Sequence, residues 1–142
     1  MADTIKLEIV TPERLLVQAD AEEVVIPGES GYLGVLPGHA PLITEIAVGE
    51  IAYRAGNEVK RVAVAWGFAE VLPDKVTILA EVAEKAEEID VVRAREEKKQ
   101  AEEDLRKAGP GGNPEAQALL DRANARLAVA DKLNAQLSNL IP

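Results

Sequence analysis

The chain has 142 residues, no cysteine and a formal net charge of −9, with 47% hydrophobic and 29% charged residues. This composition is typical of one ordinary folded domain, or of a small domain with an appendage. The missing cysteines exclude disulfides and a cysteine nucleophile, and the acidity argues against a nucleic-acid partner and against direct docking on anionic lipid. No apolar run approaches the roughly 20 residues that span a bilayer, so membrane association is expected only through a partner protein.

The first half of the chain has the pattern of short β-strands. Ile5, Leu7 and Ile9 alternate with Lys6 and Glu8, which is the two-residue period of a half-buried strand. Similar apolar runs or alternations follow at residues 15–17, 24–26, 62–66 and 76–80. Glycine, proline and asparagine separate these runs. Many short strands divided by regular turns predict a sandwich or a barrel.

From Glu84 to Ala108 the sequence contains no glycine or proline and is rich in alanine, glutamate, lysine and arginine. These residues are strong helix formers, so this stretch is predicted to be a helix. Glu87, Glu88 and Asp90 are placed in its first turns, where they suit the positive end of the helix dipole. The residues of one stripe recur three and four apart: Val91, Ala94, Lys98, Ala101, Leu105 and Ala108.

A second helix is predicted after the turn at residues 109–112. Asn113 is a suitable N-cap and Pro114 a suitable first helical residue. The second stripe has the same spacing: Ala116, Leu120, Ala123, Leu127, Ala130 and Leu137. Because the connection is short, the two helices should pack as an antiparallel hairpin.

The stripes that face each other in this hairpin are rich in alanine. An alanine seam lets two helices approach closely but buries less area than a leucine seam, by about 0.8 kcal/mol for each missing methylene. The hairpin is therefore expected to dock weakly on the β domain and to be able to switch position. A simple coiled-coil tail is the alternative that periodicity leaves open.

No catalytic machinery is evident in the sequence, and neither a catalytic residue nor a metal site is predicted. His39 is the only histidine, so a nucleophile–base pair and a typical zinc site both lack residues. The glycines from Gly28 to Gly34 open no helix and are interpreted as strand turns. His39 itself is either a turn residue bonded to the backbone or a contact residue on an exposed loop; the apolar, charge-poor stretch 31–41 favours the contact loop.

Charged residues on the helices have two interpretations. Asp90 and Arg93 share one helix face, and Arg122 and Arg126 share another. They are either ordinary solvated charges or parts of a small anion site between the helices, with arginines as forked donors to phosphate.

Several motifs occur in an order and spacing that resemble one protein family over essentially the full chain. They are Gly-Val-Leu-Pro-Gly-His-Ala-Pro-Leu at 34–42, Gly-Phe-Ala-Glu-Val at 67–71, Val-Thr-Ile-Leu-Ala at 76–80, Ile-Asp-Val-Val-Arg-Ala at 89–94 and Arg-Ala-Asn-Ala-Arg-Leu-Ala-Val-Ala at 122–130. The family is that of the epsilon subunits of bacterial F-type ATP synthases.

The resemblance implies a mainly β plus α fold. Residues 1–84 would form a ten-stranded β-sandwich of two five-stranded sheets, and residues 85–142 an antiparallel two-helix hairpin. It implies a non-catalytic rotor subunit of the central stalk that links the gamma subunit to the c-ring, peripheral to the cytoplasmic face of the bacterial inner membrane. The loop 28–42 would meet stalk and ring through Gly31, Tyr32, Gly38, His39 and Pro41.

The resemblance also implies that the hairpin inhibits ATP hydrolysis when it extends toward the alpha and beta subunits. Arg95, Lys98 and Lys99 are candidates for the contact with the beta subunit, together with the arginines of the anion site. No cofactor is required, but ATP is the candidate regulatory ligand of the folded hairpin. Its candidate residues are Glu84, Ile89, Asp90, Arg93, Ala94, Arg122 and Arg126. A stand-alone ATP sensor and a coiled-coil adaptor are the alternative functions.

Overall fold

A computed structural model describes residues 3–138 as a β domain with a helical hairpin packed on it. The strands are β1 (Ile5–Val10), β2 (Leu15–Ala21), β3 (Glu23–Gly28), β4 (Gly31–Val35), β5 (Leu42–Ile46), β6 (Gly49–Ala55), β7 (Glu58–Val71) and β8 (Lys75–Lys85). A 3₁₀ turn over Ala86–Glu88 leads to α1 (Val91–Lys107) and α2 (Pro114–Ser138). The outer ends of the two predicted domains, 1–2 and 139–142, lie outside the described residues.

Two long strands, β7 and β8, each belong to both layers of the β domain. The first half of β7 pairs with β6 and its second half with β5. The first half of β8 pairs in parallel with β1, and β8 pairs antiparallel with β7 over most of its length. The two layers are therefore β2-β1-β8-β7-β5 and β4-β3-β6-β7-β8. The predicted ten-stranded sandwich of two five-stranded sheets is confirmed. Only eight continuous strands are needed, because β7 and β8 each count once in both layers.

The core lies between these layers and follows the predicted alternation. Ile5, Leu7 and Ile9 are fully buried. Leu16, Val24, Ile26, Ile51, Val62, Val64, Val76 and Ile78 complete its centre. The first half of β7 is buried on both faces, because Val62 and Val64 face the sandwich core while Ala63 packs beside the hairpin.

The passage of β7 from one layer to the other depends on a bend at Trp66 and Gly67. Trp66 has φ of 57°, a conformation that is rare for a large side chain. A Cβ at Gly67 would lie 1.9 Å from the carbonyl oxygen of Leu79. Only glycine therefore permits this close crossing of β7 over β8.

The first helix begins later than predicted. Glu84 and Lys85 still belong to β8, where they pair with Ala63 and Val62, and this ladder satisfies their backbone groups in spite of their helix propensity. Asp90 is the N-cap of α1, and its carboxylate accepts a hydrogen bond of 3.1 Å from the Arg93 N–H. Glu87 and Glu88, predicted in the first turns of the helix, instead lie in the 3₁₀ turn before it.

The predicted start of the second helix is confirmed. The Asn113 side chain accepts a hydrogen bond of 3.1 Å from the Ala116 N–H, and α2 begins at Pro114. The predicted alanine seam is also confirmed by five buried residues, Ala94, Ala101, Ala116, Ala123 and Ala130.

Leu137 departs from the predicted stripe, because it is 50% exposed. The helix α2 has 25 residues and α1 has 17. The last turns of α2 therefore extend past the start of α1, and the α1 seam cannot cover them.

Glu88 ties the start of the hairpin to the turn between β1 and β2. Its carboxylate accepts hydrogen bonds of 2.9 Å from Arg14 Nη2 and of 3.0 Å from the Lys85 N–H. Burial acts to raise the pKa of Glu88, but the Lys85 N–H and Arg14 outweigh burial and hold that pKa below its ordinary value.

A pH dependence of stability follows from this lowered pKa. The contribution of Glu88 is present above the ordinary value of 4.5 and is lost as pH falls through the lowered pKa of the folded state. Because the ion pair is partly exposed, we expect it to contribute no more than about 1 kcal/mol. The unfolding free energies of the wild type and of Glu88→Gln in urea should differ at pH 7, and the difference should shrink as pH falls below 4.5. A constant difference across this range would contradict the assignment.

Candidate functional site

The hairpin packs on the sandwich through a small apolar cluster. Ala63, Ala86 and Val129 are its buried members, and Ile89 and Leu133 pack against them. Three of these five residues are alanine or valine with little area to bury, so this cluster by itself should hold α2 only weakly.

One of these ion pairs joins α2 to the sandwich through Glu50. The Glu50 side chain is nearly buried and accepts a hydrogen bond of 2.7 Å from Arg61 Nε on β7. Its other oxygen accepts one of 2.7 Å from Lys132 Nζ on α2. Glu50 therefore connects β6, β7 and α2.

The second link centres on Arg126, which is only 5% exposed. Its Nη2 donates to Glu84 Oε2 on β8 at 3.2 Å, and its Nη1 donates to Glu97 Oε2 on α1 at 3.2 Å. Arg126 Nε lies 2.7 Å from Glu84 Oε1, but its N–H is not aimed at that oxygen. One guanidinium thus connects the sandwich to both helices, and two carboxylates neutralise it.

Glu97 extends this cluster to a second arginine. Its Oε1 accepts a hydrogen bond of 3.2 Å from Arg93 Nε, so one carboxylate lies between arginines of both helices. Arg122 lies one turn before Arg126. Its Nε is buried, and no group within residues 3–138 accepts a hydrogen bond from it. We call Glu84, Arg93, Glu97, Arg122 and Arg126 the arginine cluster.

Only some of the predicted ATP-binding residues belong to this cluster. The structure joins Glu84 directly to Arg126, and Arg93 to Arg126 through Glu97. Asp90 uses a carboxylate oxygen as a helix cap. Ile89 packs on the apolar cluster, and Ala94 is fully buried in the helix seam.

Sequence reasoning missed four of the ionic residues, namely Glu50, Arg61, Glu97 and Lys132. Glu97 stands four residues after Arg93, a spacing that could have indicated an ion pair within the helix. Glu50 and Lys132 are 82 residues apart in the sequence, and no local pattern indicates their contact.

The residues predicted to contact the beta subunit lie on α1. Arg95 and Lys99 are exposed, whereas Lys98 is half-buried at the helix seam. Within the described part of the chain, none of the three forms an ion pair within 4.0 Å, although Arg93 and Arg126 do. Their ammonium and guanidinium groups are therefore available to an acidic partner.

The stretch 31–41, interpreted as one contact loop, is not a single loop. Gly31 and Tyr32 belong to β4, an edge strand that pairs with β3, because the β3–β4 turn closes immediately before them. Gly38 has φ of 88° and its N–H donates to the Pro73 carbonyl at 2.7 Å, in the connection that follows β4. The predicted contact residues thus lie along one strand and its following loop.

His39 lies in the loop that follows β4. His39 Nδ1 lies 2.7 Å from the carbonyl oxygen of Ala40, which is the geometry of the backbone-bonded turn residue. The ring is still partly exposed, as are Pro41 and, to 65%, Tyr32. A contact role for these three residues stays a prediction.

The outer face of the first layer carries an apolar patch. Leu79 on β8 is paired with Phe68 on β7, and Trp66 lies beside them. Val10 pairs with Leu79 on one side and with Leu15 on the other, so Leu15 extends this row of side chains across the sheet. Leu15, Phe68 and Leu79 are 49–54% exposed and Trp66 is 38% exposed. We call Leu15, Trp66, Phe68 and Leu79 the outer patch.

No group of three or more potential metal ligands occurs between residues 3 and 138. None of the helices in this range is long and apolar enough to cross a bilayer.

The chain is thus a two-domain protein, in which a two-helix hairpin is docked on a β-sandwich and the arginine cluster lies at their junction. The family model "ATP synthase, Delta/Epsilon chain, beta-sandwich domain" matches residues 4–86, and the model "ATP synthase, Delta/Epsilon chain, long alpha-helix domain" matches residues 87–131. The chain belongs to the family of ATP synthase epsilon chains, as the resemblance predicted.

Curated relatives support this family assignment. The ATP synthase epsilon chain of Koribacter versatilis is 64% identical over 110 residues, which are 78% of this chain and 78% of the relative. That of Solibacter usitatus is 47% identical over 133 residues, covering 93% and 99% of the two chains.

Two solved structures share the fold. A chain of the Euglena gracilis mitochondrial ATP synthase (OSCP/F1/c-ring) has a TM-score of 0.78 at 22% identity, with 92% of this chain and 82% of that chain covered. A chain of the Tetrahymena thermophila mitochondrial ATP synthase central stalk and c-ring has a TM-score of 0.63 at 14% identity, with 89% and 96% covered.

Proposed function

We propose that this chain is a non-catalytic rotor subunit of a bacterial F-type ATP synthase. It would link the gamma subunit to the c-ring at the cytoplasmic face of the inner membrane, which it reaches only through these partners. The observation that carries this proposal is the outer patch, on a chain whose relatives are named ATP synthase epsilon chains.

The outer patch has the chemistry of a protein interface. Its large side chains are contiguous on one face of a sheet, and contiguous apolar surface of this kind marks interaction sites. Trp66 and Phe68 are aromatic residues, a class that supplies much of the binding energy of interfaces. We assign this face to the gamma subunit and the β4 edge with its following loop to the c-ring.

Introducing a carboxylate into the outer patch tests its assignment. Phe68→Glu and Leu79→Glu should each weaken the complex with the cognate gamma subunit by at least about 2 kcal/mol, a roughly 30-fold loss of affinity. Affinity would be measured by calorimetry and complex formation by size exclusion. Val92→Glu is the matched control, since Val92 is 65% exposed on the hairpin. Unchanged affinity of both patch variants would assign the gamma contact to another surface.

The hairpin would regulate the enzyme by moving between the docked position and an extended one. Arg95, Lys98 and Lys99 carry charges that meet no acidic partner within the described residues, so an acidic segment of the beta subunit could bind them. Extension toward the alpha and beta subunits would then inhibit ATP hydrolysis.

Nucleotide binding by the docked hairpin is a second candidate function, and Arg122 is the observation that favours it. A buried Nε without an acceptor is costly, and a phosphate oxygen would satisfy it. Calorimetric titration with ATP tests this function: saturable heat that disappears in Arg122→Ala supports it. Absence of heat at millimolar ATP would reject it for the wild-type chain.

A further inference from the structure

The arginine cluster contains an arrangement that its role as a nucleotide site does not explain. Glu97 Oε1 accepts from Arg93 and Glu97 Oε2 accepts from Arg126, both at 3.2 Å. One anionic group thus binds guanidinium groups from α1 and α2 at once. A phosphate group that bridges the two helices would require the same donors.

We propose that Glu97 is an internal counter-anion that competes with phosphate-bearing ligands for Arg93 and Arg126. This inference rests on the proposed nucleotide site of the hairpin. It assigns to Glu97 the control of affinity at that site, with the carboxylate already occupying the position of a phosphate.

The exposure of the two arginines determines how this competition works. Arg93 has a side chain 73% exposed and can rotate toward solvent or ligand. Arg126 is 5% exposed and held from the other side by Glu84, so it stays in place. A phosphate group must therefore displace the Glu97 carboxylate, or bind beside it against like-charge repulsion.

Glu97 also affects the hairpin when no ligand is bound. Because Glu97 already neutralises the arginines, the helices of this chain need no nucleotide to lie together. A chain of this kind binds nucleotide weakly and keeps its hairpin docked in its absence.

Calorimetric titration of the full chain with ATP tests the role of Glu97. Glu97→Gln keeps the shape and a hydrogen-bonding oxygen but removes the charge, and it should bind ATP at least about tenfold more tightly than the wild type. Glu103→Gln is the matched control, because Glu103 makes an exposed ion pair of 3.9 Å on the same helix. The control should bind ATP as the wild type does. Adding Arg122→Ala to Glu97→Gln should abolish the gain.

The outcomes separate this inference from the site on which it rests. Equal ATP affinity of the wild type and Glu97→Gln, both abolished by Arg122→Ala, would overturn the role of Glu97 and leave the nucleotide site intact. Absence of ATP binding in every variant, with folded protein by circular dichroism, would overturn both. Tighter binding by Glu103→Gln as well would show a general charge effect and also overturn the assignment to Glu97.

Discussion

Replacing Arg126 with methionine should release the hairpin from the sandwich. The substitution keeps much of the apolar stem but leaves Glu84 without its cation and Glu97 with only the exposed Arg93. Removing one partner of a buried ion pair costs about 3–5 kcal/mol. The side chains of Glu84 and Glu97 are 23% and 30% exposed. We therefore expect the free energy that holds the hairpin on the sandwich to fall by about 3 kcal/mol, the lower end of that range.

Hydrogen exchange of the α2 amides measures this effect, because an undocked hairpin loses the packing that stabilises its helices and opens more often, while the sandwich stays protected. Arg106→Met is the control, since Arg106 makes only an exposed contact of 3.9 Å with Glu103 and should change stability by less than about 0.5 kcal/mol. Unchanged protection of α2 in Arg126→Met would show that the apolar cluster alone holds the hairpin.

Alanine at Gly67 should disrupt the sandwich itself. The added Cβ would lie 1.9 Å from the Leu79 carbonyl oxygen and 2.9 Å from Ala80 Cα, both backbone atoms that cannot rotate away. Separating β7 from β8 would break the ladder that both layers share. We expect a loss of about 3 kcal/mol or more in the free energy of unfolding.

Thermal unfolding followed by circular dichroism measures this loss. The control is Gly109→Ala, because within residues 3–138 no atom outside Gly109 and its two chain neighbours lies within 4 Å of the corresponding Cβ position. Its effect should stay below about 1 kcal/mol. A Gly67→Ala protein with the melting temperature of the wild type would mean that β7 and β8 can separate without cost.

Features set by neighbouring residues could be predicted from the sequence. The alternation of Ile5, Leu7 and Ile9 reported a buried face of β1, and Asn113 with Pro114 reported the start of α2. The start of α1 could not be predicted from propensity, because pairing across the sheet holds Glu84 and Lys85 in β8. The length of β7 and β8 could not be predicted either, because both strands run through two layers that only the folded structure defines.

The candidate site was only partly predictable for the same reason. The family motifs indicated Glu84, Arg93 and Arg126, but not that a carboxylate of α1 would neutralise two of the arginines. The contact of Glu50 with Lys132 depends on where α2 lies on the sandwich. The outer patch required knowing which residues of β7 and β8 face away from the core.

We propose that the sandwich anchors the subunit while the hairpin moves to control hydrolysis. The chain has no cysteine, so cysteines can be introduced at Glu50 and Lys132, whose side chains meet at 2.7 Å, and joined by a short bifunctional maleimide. The measurement is the ATPase rate of reconstituted F1 containing the cross-linked or the uncross-linked chain. We predict faster hydrolysis with the cross-linked chain, because its hairpin cannot extend. Equal rates, with the cross-linked chain still bound to the gamma subunit, would contradict the claim.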